Sequence, residues 1–288
     1  MVFRRIIFNA IFVGLLTGLL LSVVQIMGVT PIIFAAETYE IEEEAPAVVV
    51  EHLQEAQSVV HDHEAHSHDE LGHSTQGHDE QSSALETVQA TDVHEHDPEA
   101  WGPEDGAERT FYTVLSNVFA GIGFSAVILA LMSQLQLQGI TQINVMKGLA
   151  WGIAGFAAFF VAPGLGLPPE IPGTQAAAIE NRQLWWVLAV ICAGVGIAIL
   201  AFAPVKLKLL GVLSIALPYL IGAPHITGPE FTHPDPAAVT ALIELHHQFI
   251  VASGVANLVF WAALGVACAW VLNRWVLKGL TADVGASA

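Results

Sequence analysis

Positive charge is scarce in this chain. Lysine and arginine together number 9 in 288 residues, against 27 aspartates and glutamates. The acids lie mostly in one segment that would repel nucleic acid, and no nucleic-acid partner is expected. Cysteine is scarcer still. Cys192 and Cys268 are the two, and each lies inside an apolar run. They build no disulfide framework and no CxxC metal knuckle, and they read as small buried hydrophobes. Charged residues make up only 12% of the chain while 54% are hydrophobic, a balance that belongs to an integral membrane protein. A Walker A loop, an HExxH pair and a Ser/His/Asp constellation are all missing, so neither ATP hydrolysis nor another enzymatic chemistry has residues to carry it.

What is present is apolar sequence in long runs. Six stand out, at residues 6–29, 113–132, 148–165, 185–203, 207–222 and 249–272. A spanning helix takes about 20 apolar residues, with about 17 as a floor. The runs at 148–165 and 207–222 are marginal, and both end in proline and glycine. The first run starts behind Arg4 and Arg5 as a signal peptide would. Its apolar stretch is too long for that, and "IFAAE" is a poor cleavage site, so it reads as a retained helix. The expected fold is an all-α integral membrane protein with six transmembrane helices, or five if one marginal run does not cross, arranged as hairpins. The expected divisions are a first helix over 1–29, an extracytoplasmic loop over 30–110 and a five-helix membrane core over 111–288.

The few bases orient this fold. With the N-terminus inside, Arg4, Arg5, Lys147, Lys206, Lys208, Arg274 and Lys278 lie on the cytoplasmic side, and only Arg109 and Arg182 lie outside. That distribution obeys the positive-inside rule. It predicts a multi-pass protein of the cytoplasmic (inner) membrane with both termini in the cytoplasm and residues 30–110 outside.

The acids are concentrated as sharply as the bases are dispersed. Residues 37–108 hold 21 of the 27 acids and no lysine or arginine. Nine of the 13 histidines are here too, among them His61, His63, His66, His68, His73, His78, His94 and His96. Low hydrophobicity with high net charge predicts disorder. Imidazole beside carboxylate suits divalent cobalt, nickel, copper or zinc. These eight histidines are therefore expected to capture metal from the outside. Binding needs neutral imidazole, so capture should fade below about pH 6.5.

A threefold echo runs through the rest. Outgoing runs end "VTPIIFAAE", "APGLGLPPE" and "APHITGPE", each with a proline six or seven residues before an acid: Glu37, Glu170 and Glu230. Returning runs begin "ERTFY", "ENRQLWW" and "ELHHQF", each an acid, then arginine or histidine, then an aromatic. Within them lie "AGIG", "AGVG" and "SGVA", small residues that let helix backbones approach. Proline-broken helix ends can turn freed carbonyls toward an ion or can simply end a helix at the interface. The last outer loop adds His225, Glu230, His233, Glu244, His246 and His247. Together with Glu37 and Glu170 these complete the expected metal-contacting set. Gln25, Asn117 and Asn257 either line a path or tie helices together.

Several stretches carry a resemblance. "TPIIFAAETYE", "GLAWGIAGFAAFFVAPGLGLPPEIPG", "RQLWW", "IGAPH" and "FIVASGVANLVFWAALG" resemble the CbtA family of proposed cobalt transporter subunits. The resemblance implies Co²⁺ as the transported ion, a tie to cobalamin synthesis and a small single-span partner, CbtB, with its own histidine-rich motif. It highlights Pro31, Glu37, Glu40, Pro163, Pro169, Glu170, Pro172, Arg182, Gln183, Trp186 and His225. The family is usually described with five spans. Uptake of a divalent metal is the function expected. The alternatives are a non-conducting membrane metal-binding or sensing subunit, or transport of Ni²⁺ or Zn²⁺ through the same ligand chemistry.

Overall fold

The computed structural model describes residues 2–43, 103–104 and 106–278. In chain order the helices are α1 (Val2–Gly28), α2 (Thr30–Glu43), α3 (Ala107–Leu137), α4 (Val145–Phe156), a π turn (Ala157–Val161), α5 (Ala162–Gly164), α6 (Ile179–Phe202), α7 (Lys208–Ile221) and α8 (Pro236–Val271), which ends in a second π turn (Leu272–Val276). Among the described residues, five stretches are long and apolar enough to cross a membrane: Val2–Gly28, Ala107–Leu137, Val145–Gly164, Ile179–Phe202 and Pro236–Val276.

The fifth run, 207–222, becomes α7, with only 14 residues. At 1.5 Å per residue it is about 21 Å long, short of the roughly 30 Å of a hydrocarbon core. It still reverses the chain. Trp185 near the start of α6 donates to the Pro218 carbonyl near the end of α7 (3.2 Å), and Ser214 donates to the Cys192 carbonyl (2.8 Å). α6 and α7 therefore run antiparallel, and of the six expected spans five are long and apolar enough to cross among the described residues. Arg5, at the start of α1, donates from Nη1 to the carbonyls of Val276 (3.2 Å) and Lys278 (2.9 Å). The beginning of α1 and the end of α8 thus share one end of the bundle.

Glycine sets which helices pair. A Cβ added at Gly14 of α1 would lie 2.3 Å from the Ile122 nitrogen of α3. One at Gly265 of α8 would lie 2.2 Å from the Gly148 carbonyl of α4, and one at Gly152 the same distance from the Trp261 carbonyl. One at Gly196 of α6 would lie 2.6 Å from the Gly211 carbonyl of α7. With no hydrophobic drive between helices in lipid, such backbone contact is what holds them together. α1/α3 and α6/α7 are hairpins of consecutive helices, whereas α4 takes α8, remote in sequence, as its closest partner.

Aromatic rings fill the centre where glycine makes room. Phe124 of α3, Phe159 of the first π turn and Trp261 of α8 meet with ring centroids 4.8–5.3 Å apart. Gly155 admits the Trp261 ring, since a Cβ there would lie 2.2 Å from it. The α6/α7 hairpin leans on the π turn through Ala158, Ala162 and Ala193. There the Tyr219 hydroxyl donates to the Ala162 carbonyl (2.6 Å), beside the break made by Pro163. Among the polar groups, Asn117 donates to Gln25 Oε1 (2.6 Å) and Ser22 Oγ (3.1 Å), tying α3 to α1. Asn257 bonds the Ser253 carbonyl of its own helix.

The expected outer loop begins later than residue 30. Thr30–Glu43 is helical, continuing almost directly from α1. Proline is tolerated in a first helical turn, so Pro31 does not stop it. Ala36 is fully buried against Ile171, Phe231 and Leu242, which holds α2 onto the bundle. Residues 44–102 lie outside the described residues, and with them the expected disorder and all nine loop histidines.

Candidate functional site

The polar residues of the three echoes form three acid–base pairs at the end of the bundle remote from Arg5 and Val276. Glu37 rises on α2 and Arg109 stands in the first turn of α3. They form a fork, with Nη1 to Oε2 at 3.0 Å and Nη2 to Oε1 at 2.5 Å. The Phe34 ring lies 5.3 Å beneath the guanidinium, where a cation–π contact adds to the hold. Glu170, in the Pro-rich loop after α5, pairs with Arg182 in the first turn of α6. Glu230, in the loop after α7, lies 2.6 Å from Nδ1 of His246 on α8. Each outgoing limb thus ends in a carboxylate clasped by a base on the limb that returns.

His246 is the most buried member, and both its ring nitrogens face oxygen. Nδ1 meets the Glu230 carboxylate and Nε2 meets the Pro169 carbonyl at 2.9 Å. A neutral imidazole has one N–H. That N–H donates to one of the two oxygens, according to the tautomer. The surrounding loops are stitched to each other. Thr174 and Phe231 form a bridge, and the Gln175 amide donates to the Glu230 carbonyl (2.8 Å). Beneath them Ala36, Ile171, Phe231 and Leu242 form a small apolar core of their own.

The other expected ligands are more scattered. His233 accepts from the Asp235 amide through Nδ1 (3.0 Å), stands edge-on to Tyr39 at 6.5 Å, and leaves Nε2 buried without a partner. Asp235 caps α8 by accepting from the Ala237 amide (2.8 Å). Glu244 accepts from Gln248 (3.0 Å), so it is engaged on its own helix. His225 and His247 are exposed. His61, His63, His66, His68, His73, His78, His94 and His96 lie outside the described residues. Among the described residues, no three histidines, cysteines or carboxylates are grouped so as to hold a metal ion.

Arg109 was not among the expected site residues, and Arg182 was highlighted only by the family resemblance. The signal for both was in the echo itself, a base one or two residues after an acid at the start of each returning run. The Pro169 carbonyl carried no signal at all, because backbone contacts depend on how the two loops dock.

Apolar spans, glycine-paired helices and charged groups gathered at one end define a multi-pass membrane protein with a polar cap. The chain belongs to the CbtA family, described as probable cobalt transporter subunit, whose family model matches residues 3–273. No curated protein and no solved structure gave a match.

Proposed function

We propose that this chain admits a divalent transition metal, Co²⁺ first, through the cytoplasmic membrane, with the capped end outside and both termini in the cytoplasm. The observation that carries the reading is the trio of carboxylates Glu37, Glu170 and Glu230, each paired at one end of the bundle with an arginine or a histidine. Membership in a cobalt transporter subunit family supports the choice of cargo. The seven bases expected on the cytoplasmic side support the orientation. The histidine- and acid-rich stretch at 61–96 captures metal and raises its local concentration at the cap. Glu230, His233, Glu244, His246 and His247 offer further contacts there, with His225 at the edge. Ni²⁺ and Zn²⁺ compete through the same ligands. A single-span CbtB subunit completes the assembly.

No nucleotide hydrolysis is needed. One charge falling through 100 mV releases about 2.3 kcal/mol, so a divalent ion crossing roughly 150 mV releases about 7 kcal/mol. That equals about five decades of accumulation. The aromatic core of Phe124, Phe159 and Trp261 favours a second reading, a metal-binding subunit that does not itself conduct. The test is ⁵⁷Co²⁺ uptake by cells with and without the chain, each with and without CbtB, using Ni²⁺ and Zn²⁺ as competitors. Uptake that needs CbtB but survives loss of this chain sinks the conducting role.

Two outcomes follow for the loop. Deleting residues 61–96 raises the cobalt concentration for half-maximal uptake and leaves the maximal rate unchanged. A lower maximal rate instead would mean the loop is part of the path. Glu70→Cys reacts with an impermeant maleimide from outside. Native Cys192 and Cys268 are buried, so background labelling is low. Labelling only in inside-out vesicles would reverse the orientation.

A further inference from the structure

We propose that Arg182 is a built-in counter-cation: it occupies Glu170 while no metal is present and swings aside when a divalent cation arrives. This rests on the transport reading and concerns the regulation of that same site. The two arginine clasps are built differently. Arg109 grips Glu37 with two parallel bonds, the geometry that favours a permanent arginine–carboxylate pair. Arg182 reaches Glu170 through Nη2 alone, and its buried Nε has no hydrogen-bond partner. An unsatisfied buried donor makes the clasped state less favourable than a forked pair would be.

The surroundings give the arginine somewhere to go. A groove of about 500 Å³ opens beside it, lined by Leu167, Ile179, Arg182, Gln183, Trp186 and Val187. The Gln183 amide can accept from a guanidinium, and the Trp186 ring can receive one on its face. Glu170 has no such freedom. Its neighbour Pro169 is bonded to His246, and its other neighbour Ile171 is buried in the small cap core. The carboxylate therefore stays in place while its partner moves. At a fixed carboxylate a divalent ion carries twice the charge of the arginine it would replace. A wholly structural clasp would need neither the groove nor the single bond.

The test uses the full chain in liposomes. Phenylglyoxal, which modifies free guanidinium groups, is applied with and without CoCl₂ and the adducts are mapped by mass spectrometry. Modification of Arg182 rises several-fold with Co²⁺, while that of Arg109 does not change. In parallel, Arg182→Gln lowers the ⁵⁷Co²⁺ concentration for half-maximal uptake by about tenfold, since a neighbouring cation shifts a carboxylate's preference by one or more decades. Unchanged modification of Arg182 overturns the proposal, and so does an unchanged or raised half-saturation in Arg182→Gln. If that variant does not accumulate, the modification of the native chain decides alone. Absence of ⁵⁷Co²⁺ uptake by the native chain would instead sink the transport reading, a separate result.

Discussion

Gly265→Leu removes most of the folded protein from the membrane. A Cβ at this position meets the Gly148 carbonyl at 2.2 Å and the Gly152 nitrogen at 2.6 Å, and both are backbone atoms of α4. Backbone cannot step aside as a side chain can, so the two helices must separate along their length. Their separation unseats Trp261, which packs against Phe124, Phe159 and Phe260 at the centre of the core. Overpacking a core costs about 1–3 kcal/mol when neighbours can shift. The cost here sits at or above the top of that range, a large share of a marginal stability. Gly194→Leu is the matched control, since a Cβ there meets nothing within 4 Å. Size-exclusion profiles of the two variants in detergent should show aggregate for Gly265→Leu and a native peak for Gly194→Leu. A native peak with an unchanged melting temperature for Gly265→Leu would mean that α4 and α8 are not joined backbone to backbone.

That contrast shows where the sequence is legible and where it is not. Spans are visible because lipid demands apolar length, and five of the six runs become helices long enough to cross. The runs at 148–165 and 207–222 were equally marginal, and the structure separates them: Val145–Gly164 is long enough to cross and α7 is too short. Small-residue motifs were visible as motifs but not as contacts. "AGIG" uses Gly121 against Gly14 and leaves Gly123 open, while "AGVG" uses Gly196 and leaves Gly194 open. Which glycine is used depends on helix rotation, and rotation is set by partners distant in the chain. Residues 30–43 misled for a related reason. Proline and alternating acids read as the start of a loop, yet Ala36 finds an apolar core built from Ile171, Phe231 and Leu242. The acid–base echo was legible residue by residue. Its meaning was not, because pairing two ends of a hairpin is a fact of three dimensions.

Glu170→Gln brings cobalt uptake to background at every metal concentration. The carboxylate sits on a loop fixed on both sides, next to a base that can leave it, so it is the anionic contact best placed to take a cation from the cap. Substitution removes the charge that would hold the metal and leaves Arg182 uncompensated. With water reaching a quarter of each side chain, losing the pair costs about 1–3 kcal/mol, below the value for a fully buried pair. Loss of stability could therefore imitate loss of function. The double variant Glu170→Gln/Arg182→Gln separates the two. It restores charge balance and should restore the melting temperature toward that of the native chain, yet uptake stays at background because the metal contact is still gone. Recovery of uptake in the double variant would show that Glu170 serves only to balance Arg182, and the path of the metal would then have to run past Glu37 or Glu230 instead.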